Sequence, residues 1–287
     1  MRSIKYALFI SFAMSKVKVG VLKMGAIGTA VILEYLLDER ADREDIEVRV
    51  VTSGAKMQPE EAVVAEKLKE FNPDLIIVAS PNAALPGPKA AREAFAGKPV
   101  IVISDAPAKK AKDELKEKGF GYIFINADSM IGARREFLDP TEMALFNADV
   151  LKVLAATGAL RVVQEAIDKV IDDLKAGKKP ELPQIIVTAE KAVEAGKFSN
   201  PYAKAKAMAA YFIAEKVADI NVRGCFVEKD YNVYVPLVAS AHEMMRIAAK
   251  LADEAREIEK YGDKLFRNPH SREGKILSKT ELVSKPQ

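Results

Sequence analysis

The chain is poor in the residues that build metal centres and covalent cross-links. Its 287 residues include one cysteine, Cys225, and two histidines, His242 and His270. A single thiol excludes an intramolecular disulfide and any cysteine-rich zinc or iron–sulfur site. The two histidines lie too far apart in sequence for a local metal-binding motif. We therefore expect no bound metal, and the composition leaves open only a site built mainly from carboxylates.

Tryptophan is absent, aromatic residues make up only 7% of the chain, and the net charge is a mild +3. Nucleic-acid-binding proteins usually carry a denser basic stripe with aromatic residues, so we expect no nucleic acid partner. No stretch approaches the ~20 apolar residues that cross a bilayer, and no membrane association is expected. With 49% apolar and 30% charged residues, the chain is typical of a cytoplasmic protein with a sizeable core.

The first fourteen residues differ from the rest. Arg2 and Lys5 precede a short apolar run like that of a secretory signal, but no clear small-residue cleavage site follows it. We interpret residues 1–14 as an upstream extension that is not part of the fold, with Met14-Ser15-Lys16 as the natural beginning.

Over residues 15–139, short apolar runs alternate with amphipathic segments. The runs rich in Val and Ile predict five buried strands, at Val17–Leu22, Val48–Thr52, Leu75–Ser80, Val100–Ser104 and Tyr122–Asn126. Helical patterns separate them, at Thr29–Leu37, Pro59–Glu70, Pro88–Ala96 and Lys112–Lys118. This alternation predicts a parallel, Rossmann-like sheet in an α/β ligand-binding domain. Ligands of such sheets bind beyond the carboxyl ends of the strands, so the loops there are the place to look for a site.

After Asp139 the pattern becomes helical. Residues 139–142 provide a helix cap, a proline at the first helical position and a capping-box acid. Residues 140–262 are predicted to form a helical bundle region, with four helices at residues 140–158, about 160–176, from 201 onwards, and from after Pro236 to about Tyr261. Residues 263–287 have Gly274 between two short β-like runs, which predicts a small hairpin and a tail.

The turn after the first predicted strand reads Lys23-Met24-Gly25-Ala26-Ile27-Gly28. Gly25 and Gly28 allow close approach of the backbone, and the start of the next helix offers N–H groups to an anion. Lys23 would add a positive charge, and Lys56 in the following loop suits another anionic group. A tight turn without a ligand explains this motif equally well. A complete dinucleotide fingerprint has glycine in place of Lys23, and the second strand ends without the acid that binds the ribose of NAD, which argues against a nicotinamide enzyme.

Two proline-containing loops follow the third and fourth predicted strands. Proline fixes φ, so these loops are shaped before any ligand arrives. Each is also explained as a rigid connection, and Lys109 and Lys110 after the second loop as solvated side chains. Two adjacent rigid loops at the ligand side of a sheet nevertheless favour a site. The candidate residues in them are Ser80, Pro81, Asn82, Asp105, Ala106 and Pro107.

The segment Asp128–Pro140 mixes both charge signs and joins the sheet to the first bundle helix. Arg134 or Arg135 suits a bidentate contact with a phosphate or carboxylate, and either suits an ion pair that braces the joint. We expect one arginine in each role.

Three further polar residues have simpler interpretations. A histidine inside a long helix, as at His242, is more often an interhelix hydrogen-bonding group than a catalytic acid. His270 is expected to be exposed or at a subunit contact. Cys225 has no basic neighbour to activate it and is expected to be a core or interface thiol.

Several of these strings together resemble the F420-dependent methylenetetrahydromethanopterin dehydrogenases of methanogens and related archaea. The resemblance extends from about Lys16 to Leu282, and departs from the family's first turn, Lys-Cys-Gly-Asn, at Met24 and Ala26. The matching stretches are Leu36–Val51, Pro81–Pro88, Asp105–Ile123, Gly132–Ala159, Asn200–Ala210 and Val238–Lys260.

The resemblance implies an α/β domain, a helix bundle and a short C-terminal β segment, assembled as a homohexamer, a trimer of dimers. It implies an enzyme of methanogenic one-carbon metabolism. Methylene-tetrahydromethanopterin and oxidised F420 would give methenyl-tetrahydromethanopterin and reduced F420, reversibly. F420 would be a dissociable cosubstrate, with no metal and no tightly bound flavin.

Under this resemblance the candidate residues fall into two groups. Those expected at the F420 site are Lys23, Gly25, Gly28, Lys56, Ser80, Pro81, Asn82, Asp105, Ala106 and Pro107. Those expected to bind or align the pterin are Asp128, Arg134, Arg135, Glu136 and His242.

A hydride can pass directly between two stacked rings, so catalysis would rest on orientation and the exclusion of water. Catalytic residues therefore stay unassigned, with Asp128, Arg135 and Glu136 as positioning candidates. The alternatives are an NAD(P)-dependent dehydrogenase and a non-catalytic homologue that binds F420 or the pterin.

Overall fold

The computed structural model describes residues 16–287, and the predicted N-terminal extension lies outside them. These residues form a six-stranded sheet with the order β2-β1-β3-β4-β5-β6, and all neighbouring strands are parallel. The predicted parallel Rossmann-like sheet is confirmed. The strands are β1 (Val17–Lys23), β2 (Ile46–Thr52), β3 (Leu75–Ser80), β4 (Val100–Ser104), β5 (Gly121–Ile125) and β6 (Gln184–Val187).

Helices cover both faces of the sheet and extend beyond it as a bundle. Three short turns of other helical types occur at Pro59–Val63, Ala106–Ala111 and Arg223–Val227. The α-helices are α1 (Gly28–Leu37), α2 (Val64–Glu70), α3 (Pro86–Glu93), α4 (Lys112–Glu117), α5 (Pro140–Thr157), α6 (Ala159–Lys175), α7 (Ala189–Gly196), α8 (Pro201–Val222) and α9 (Tyr231–Tyr261).

The two faces of the sheet bury different clusters. In β3, Leu75, Ile77 and Ala79 pack into the core formed with α1, α5 and α6, which continues into α8 and α9. The alternate residues Ile76 and Val78 pack with α2, α3 and α4. A strand buried on both faces is a continuous apolar run, which is why the central strands were predictable from sequence.

Three elements differ from the sequence prediction, and one of them is the short helix α7, which was not predicted. The segment 140–262 is not purely helical, because β6 pairs with β5 at the sheet edge. This strand has four residues and Gln184 is exposed, so it lacks the apolar run of a central strand. The last long helix starts at Tyr231, before Pro236 and not after it. Asp230 caps it, since its carboxylate accepts a hydrogen bond from the N–H of Asn232 at 2.9 Å.

The C-terminal segment folds back as two antiparallel bridges, Arg267 with Lys279 and His270 with Ile276, on either side of Gly274. Gly274 has a φ of +84°, and a side chain there would collide with the carboxylate of Asp45. The turn therefore depends on glycine to approach the main body of the protein.

His270 is buried, so the expectation that it is exposed or at a subunit contact is wrong. Its Nδ1 lies 2.8 Å from a carboxylate oxygen of Glu39, and its Nε2 lies 2.8 Å from one of Asp168. Burial opposes a charge on the ring, but the hydrogen bonds to Asp168 and Glu39 outweigh it and raise the pKa of His270.

Arg43 extends this buried cluster. Its guanidinium donates to both carboxylate oxygens of Asp45 at 3.0 Å and to Asp168 at 2.8 Å. Lys175 donates to Asp45 and to the backbone carbonyl of Glu273. These contacts join the C-terminal segment to α6 and to the residues that precede β2.

Among residues 16–287, no single helix is long and apolar enough to cross a membrane, and α5 and α6 reach such a length only when counted together across a 71° bend.

The His270 cluster predicts a pH dependence of stability. The folded-state pKa of His270 is raised, so its stabilisation is complete below the ordinary histidine pKa of about 6.5 and is lost as the pH rises through the folded-state value. We expect the free energy of unfolding to fall as the pH rises above about 6.5, and His270→Gln to flatten this dependence. At pH 6 the variant should lose about 1.5–3 kcal/mol, because the buried carboxylate of Asp168 keeps Arg43 but loses a charged hydrogen bond from His270.

Chemical denaturation at a series of pH values measures this effect, with His242→Gln as the matched control because the chain has only two histidines. An unchanged pH dependence in His270→Gln would contradict the assignment.

Candidate active site

The carboxyl ends of β1 and β3 lie side by side where the strand order reverses, since the chain crosses from β1 to β2 on one side and then to β3 on the other. Gly25 has a φ of +75°, and a Cβ added to it would lie 2.6 Å from Sδ of Met57 and 3.0 Å from Cδ of Pro81. Only glycine lets the loops after β1, β2 and β3 approach this closely. Gly25 and Pro81 thus meet at the topological switch point, where ligands of such sheets bind.

The anion at the start of α1 is a side chain of the protein itself. The carboxylate of Asp128 accepts hydrogen bonds from the N–H groups of Gly28 at 2.6 Å and Thr29 at 2.9 Å. Asp128 is fully buried. The prediction that these N–H groups are free for a ligand anion is therefore wrong, because the loop after β5 supplies a carboxylate that satisfies them.

Two buried acids follow β4 and β5. Burial raises the pKa of Asp128 to about 6, against the lowering effect of the hydrogen bonds from α1. Asp105 accepts a hydrogen bond from the N–H of Ala106 at 2.5 Å and a longer one from that of Met130 at 3.4 Å. Burial raises the pKa of Asp105 well above its usual range. Both carboxylates hold loops in place, and neither reaches the surface.

Hydrogen bonds to buried side chains fix the proline-containing loop after β3. The hydroxyl of Ser104 donates to the carbonyl of Ser80 at 2.6 Å and accepts from the N–H of Ala83 at 3.0 Å. The side-chain oxygen of Asn82 accepts from the N–H of Ala84 at 3.1 Å. Asn82 is half-buried, and Ala106 and Pro107 in the neighbouring loop are exposed to the same degree. The two loops therefore present Asn82, Ala106 and Pro107 on a rigid base.

Arg92 supports the same loop and was missed by the sequence reasoning. It is fully buried in α3, and its guanidinium donates to the carbonyl of Ala83 at 2.6 Å. Its carboxylate partner Glu114 is more distant, at 3.5 Å. Burial lowers the pKa of Arg92. A buried arginine gives no sequence signal, because an arginine in an amphipathic helix normally indicates the solvated face.

The predicted lysines differ in their availability. Nζ of Lys23 lies 2.7 Å from the carboxylate of Glu34 in α1, so its charge is compensated within the protein. Lys56 is exposed, and its Nζ is 3.7 Å from Glu61. Of the two, Lys56 is therefore the cation that a ligand can reach.

Arg134 is a brace. Its guanidinium donates to the backbone carbonyls of Gly224 and Glu228, both at 2.8 Å, and lies over the ring of Tyr234 at 4.0 Å. These contacts tie the loop after β5 to the junction of α8 and α9. Arg135 and Glu136 are exposed. The hydrogen bond of Glu136 to its own backbone N–H and its contact with Tyr234 lower the pKa of its carboxyl.

His242 is buried between α5 and α9. Its Nδ1 lies 2.8 Å from the carboxylate of Glu142, and its ring contacts Phe137 and Phe146 at centroid distances of 4.7 and 4.3 Å. Burial lowers the pKa of His242, which favours the neutral ring. These are the contacts of an interhelix hydrogen-bonding group. Cys225, nearby in sequence to α8, is half-buried, and burial raises the pKa of its thiol.

The predicted residues thus separate into two regions. The first region is the carboxyl edge of the sheet, where Gly25 contacts Pro81, Gly28 contacts Asp128, and Asp105 contacts the start of the loop after β5. The second region is the helical bundle, which Arg134 and His242 contact. Residues 16–287 contain no group of three or more His, Cys, Asp or Glu side chains arranged to hold a metal ion.

A parallel sheet with rigid, polar loops at its switch point defines an α/β protein of the ligand-binding, doubly wound class. Comparison with known proteins identifies its family. The family model described as methylene-5,6,7,8-tetrahydromethanopterin dehydrogenase matches residues 17–287. This chain belongs to that family.

Named relatives are similar in sequence along nearly the whole chain. The chain is 86% identical over 271 residues to the F420-dependent methylenetetrahydromethanopterin dehydrogenase of Archaeoglobus fulgidus, with 94% of this chain and 99% of that protein covered. It is 60% identical over 275 residues to the enzyme of the same name from Methanocaldococcus jannaschii, with the same coverage.

A solved structure is also similar. It is that of an F420-dependent methylene-tetrahydromethanopterin dehydrogenase in complex with methylene-tetrahydromethanopterin and coenzyme F420. The two share 51% sequence identity and superimpose with a TM-score of 0.91, covering 95% of this chain and 100% of the other.

The cap of α1 makes a prediction for stability. Asp128→Asn keeps the size of the side chain but leaves one acceptor oxygen and turns an NH2 group towards an N–H of α1. We expect a loss of about 1–3 kcal/mol in the free energy of unfolding at pH 8, the cost of an unsatisfied buried hydrogen-bonding group. Chemical denaturation measures it, with the exposed Asp113→Asn as the control; equal stability of the two variants would rule out the cap as a significant interaction.

Proposed function

We propose that this protein catalyses reversible hydride transfer between methylene-tetrahydromethanopterin and coenzyme F420, giving methenyl-tetrahydromethanopterin and reduced F420. The observation that carries this conclusion is the likeness, over nearly the whole chain, to a solved dehydrogenase in complex with both molecules. F420 acts here as a cosubstrate that binds and dissociates.

The carboxyl edge of the sheet fits two anionic partners. F420 carries a phosphate and a glutamate tail, and the pterin carries a phosphate and carboxylates. Lys56 and Arg135 are exposed cations in the loops after β2 and β5. The hydroxyl of Ser80, at the end of β3, is buried and has no hydrogen-bond partner among the described residues. The two exposed cations suit charge-assisted contacts with a ligand at this edge, and the unsatisfied hydroxyl of Ser80 lies buried beneath them.

F420 supplies the ring carbon that exchanges the hydride, and the protein supplies orientation. The loop containing Pro81 and Asn82 is held by Ser104 and Arg92, and the loop containing Ala106 is held by Asp105. Because these supports are buried, the loops keep their shape without a ligand, and little conformational entropy is lost on binding. Such rigid walls can bring two rings face to face and exclude water between them.

We assign the site residues by where they lie. Asn82, Ala106 and Pro107 form the accessible wall of the deazaflavin site, the buried Ser80 and Pro81 lie beneath it, and Lys56 binds the charged tail. Arg135 and Glu136 align the pterin. Four further residues are positioning residues that support the site, because each is hydrogen-bonded to the protein's own backbone or side chains. They are Asp105, Asp128, Arg134 and His242.

A nicotinamide-dependent dehydrogenase is not favoured. β2 ends at Thr52 and is followed by Ser53 and Gly54, so no acid is available to bind ribose hydroxyls. A non-catalytic homologue that binds F420 or the pterin is distinguished by experiment.

The decisive experiment is an absorbance assay of the purified protein with F420 and methylene-tetrahydromethanopterin, with NAD and NADP as control acceptors. Pterin-dependent loss of the oxidised deazaflavin band is the expected result. Activity with a nicotinamide alone would overturn the cosubstrate, and binding of F420 without turnover would support the non-catalytic alternative.

Arg135 offers a test of the pterin site. We expect Arg135→Ala to raise the KM for the pterin about tenfold or more with a smaller change in kcat, because a charge-assisted hydrogen bond contributes about 1.5–3 kcal/mol. Steady-state kinetics measures this, with Arg272→Ala, an exposed arginine of the C-terminal segment, as the control. Unchanged KM values for both substrates would remove Arg135 from the site.

Assembly as a homohexamer, a trimer of dimers, and a cytoplasmic location are further parts of this proposal. Phe226, Val227 and Tyr231 are large apolar side chains exposed together at the junction of α8 and α9, and they support self-association through this surface. Light scattering of the purified protein should give the mass of six chains; a monomer at micromolar concentration would exclude this assembly.

A further inference from the structure

A groove of about 600 Å³ lies between α1, α6, α9 and the C-terminal segment. Tyr35, Leu36 and Glu39 line it from the end of α1 and the residues that follow. Because α1 starts at the carboxyl end of β1 and ends near the amino end of β2, the part of this groove at the end of α1 lies away from the carboxyl edge that carries the candidate active site.

Four cationic side chains line the groove: Arg161, Arg256, Arg267 and Lys279. Within residues 16–287, none of them forms an ion pair with a carboxylate. Arg161 donates to Asn268 and to the backbone carbonyls of Ala195, Gly196 and Phe266. Arg267 and Lys279 likewise donate only to backbone carbonyls.

The acidic side chain that lines the groove is already hydrogen-bonded within the protein. Glu39 is the carboxylate among the lining residues, and it binds the backbone N–H and the ring of His270. Apart from the weaker attraction of Glu165 for Arg161, the positive charge of the groove is therefore not compensated by the protein. Neutral carbonyls orient a guanidinium, but they do not balance its charge.

The environment of Arg161 is unfavourable for its positive charge. Burial, together with the repulsion of nearby Arg256, lowers the pKa of Arg161 to about 10. A cation removed from water without a counterion is unfavourable, and a bound anion would offset that cost. Arg256 is exposed on α9 and free to contact such an anion.

Apart from the amide side chains of Gln164 and Asn268, the remaining lining is mostly apolar. Ile32 and Leu36 of α1 face Phe266 and Pro269 of the C-terminal segment across the groove. Tyr35 stands at its side with 65% of its surface exposed. A concave apolar surface with a few converging charged groups is the usual form of a small-molecule site.

We propose that this groove binds a phosphorylated organic anion, with a phosphate on the unpaired guanidinium of Arg256 and its aromatic or apolar part against Tyr35, Ile32 and Leu36. Arg161 has four of its five N–H groups bound to the protein, so it contributes its charge and at most one hydrogen bond to that phosphate. Guanidinium groups bind phosphate through two parallel hydrogen bonds, and an exposed tyrosine ring offers a stacking surface. The site is separate from the F420 and pterin sites, so it does not depend on the proposed reaction.

Calorimetry of the full-length protein with adenosine 5′-diphosphate and with inorganic pyrophosphate tests this proposal. We expect both to bind, the nucleotide more tightly, and Arg256→Glu to weaken both at least tenfold. Lys250→Glu is the matched control, because Lys250 is an exposed cation of the same helix that lies outside the groove. Tyr35→Ala should weaken the nucleotide but not pyrophosphate.

Three outcomes would overturn the site. These are no binding of either probe at millimolar concentration, equal loss in Arg256→Glu and Lys250→Glu, and displacement of the probes by F420, which would place them in the active site. Dissociation of the assembled protein by Arg256→Glu, without an effect on probe binding, would assign the groove to a contact between copies of the chain. Because Arg256 makes no hydrogen bond within the described residues, circular dichroism should show both glutamate variants folded.

Discussion

The hydrogen bonds between Asp128 and the first N–H groups of α1 connect parts of the fold that are far apart in sequence. β1 and β5 are separated in the sheet by β3 and β4, yet the loop after β5 supplies the counterion for the helix that follows β1. The positive end of α1 and a buried carboxylate stabilise each other, since neither has water to solvate it. This contact fixes the turn containing Gly25 and, at the same time, the start of the loop containing Arg135.

The carboxyl edge of the sheet therefore contains two kinds of polar group. Asp105, Asp128, Ser104 and Arg92 are buried and bind backbone groups of the loops. Lys56 and Arg135 are exposed and make few contacts within the protein. The first kind gives the loops a single shape, and the second kind provides charge for ligands. A site of this kind combines rigid loops with exposed charged side chains.

The sequence predicted the central sheet well, because strands buried on both faces are continuous apolar runs that differ plainly from amphipathic helices. It did not predict β6, where an edge position allows Gln184 to be exposed, or the start of α9 before Pro236. The site was predicted as a set of loops, and the family was identified from long matching strings. The partner of each polar group was not predictable, since Asp128 and Gly28 are a hundred residues apart. For the same reason His270 was misassigned, because its burial depends on Glu39 and Asp168.

The cluster around His270 also bears on how the chain is made. Arg43, Asp45 and Asp168 are synthesised long before the segment 263–287 that covers them, so their charges stay in water until the final residues leave the ribosome. Closure of the C-terminal hairpin is thus a late event in which several charges are desolvated together. Gly274 is the residue that permits this last contact. A chain that ended before Gly274 would contain every strand of the sheet, but this charged cluster would stay open to water.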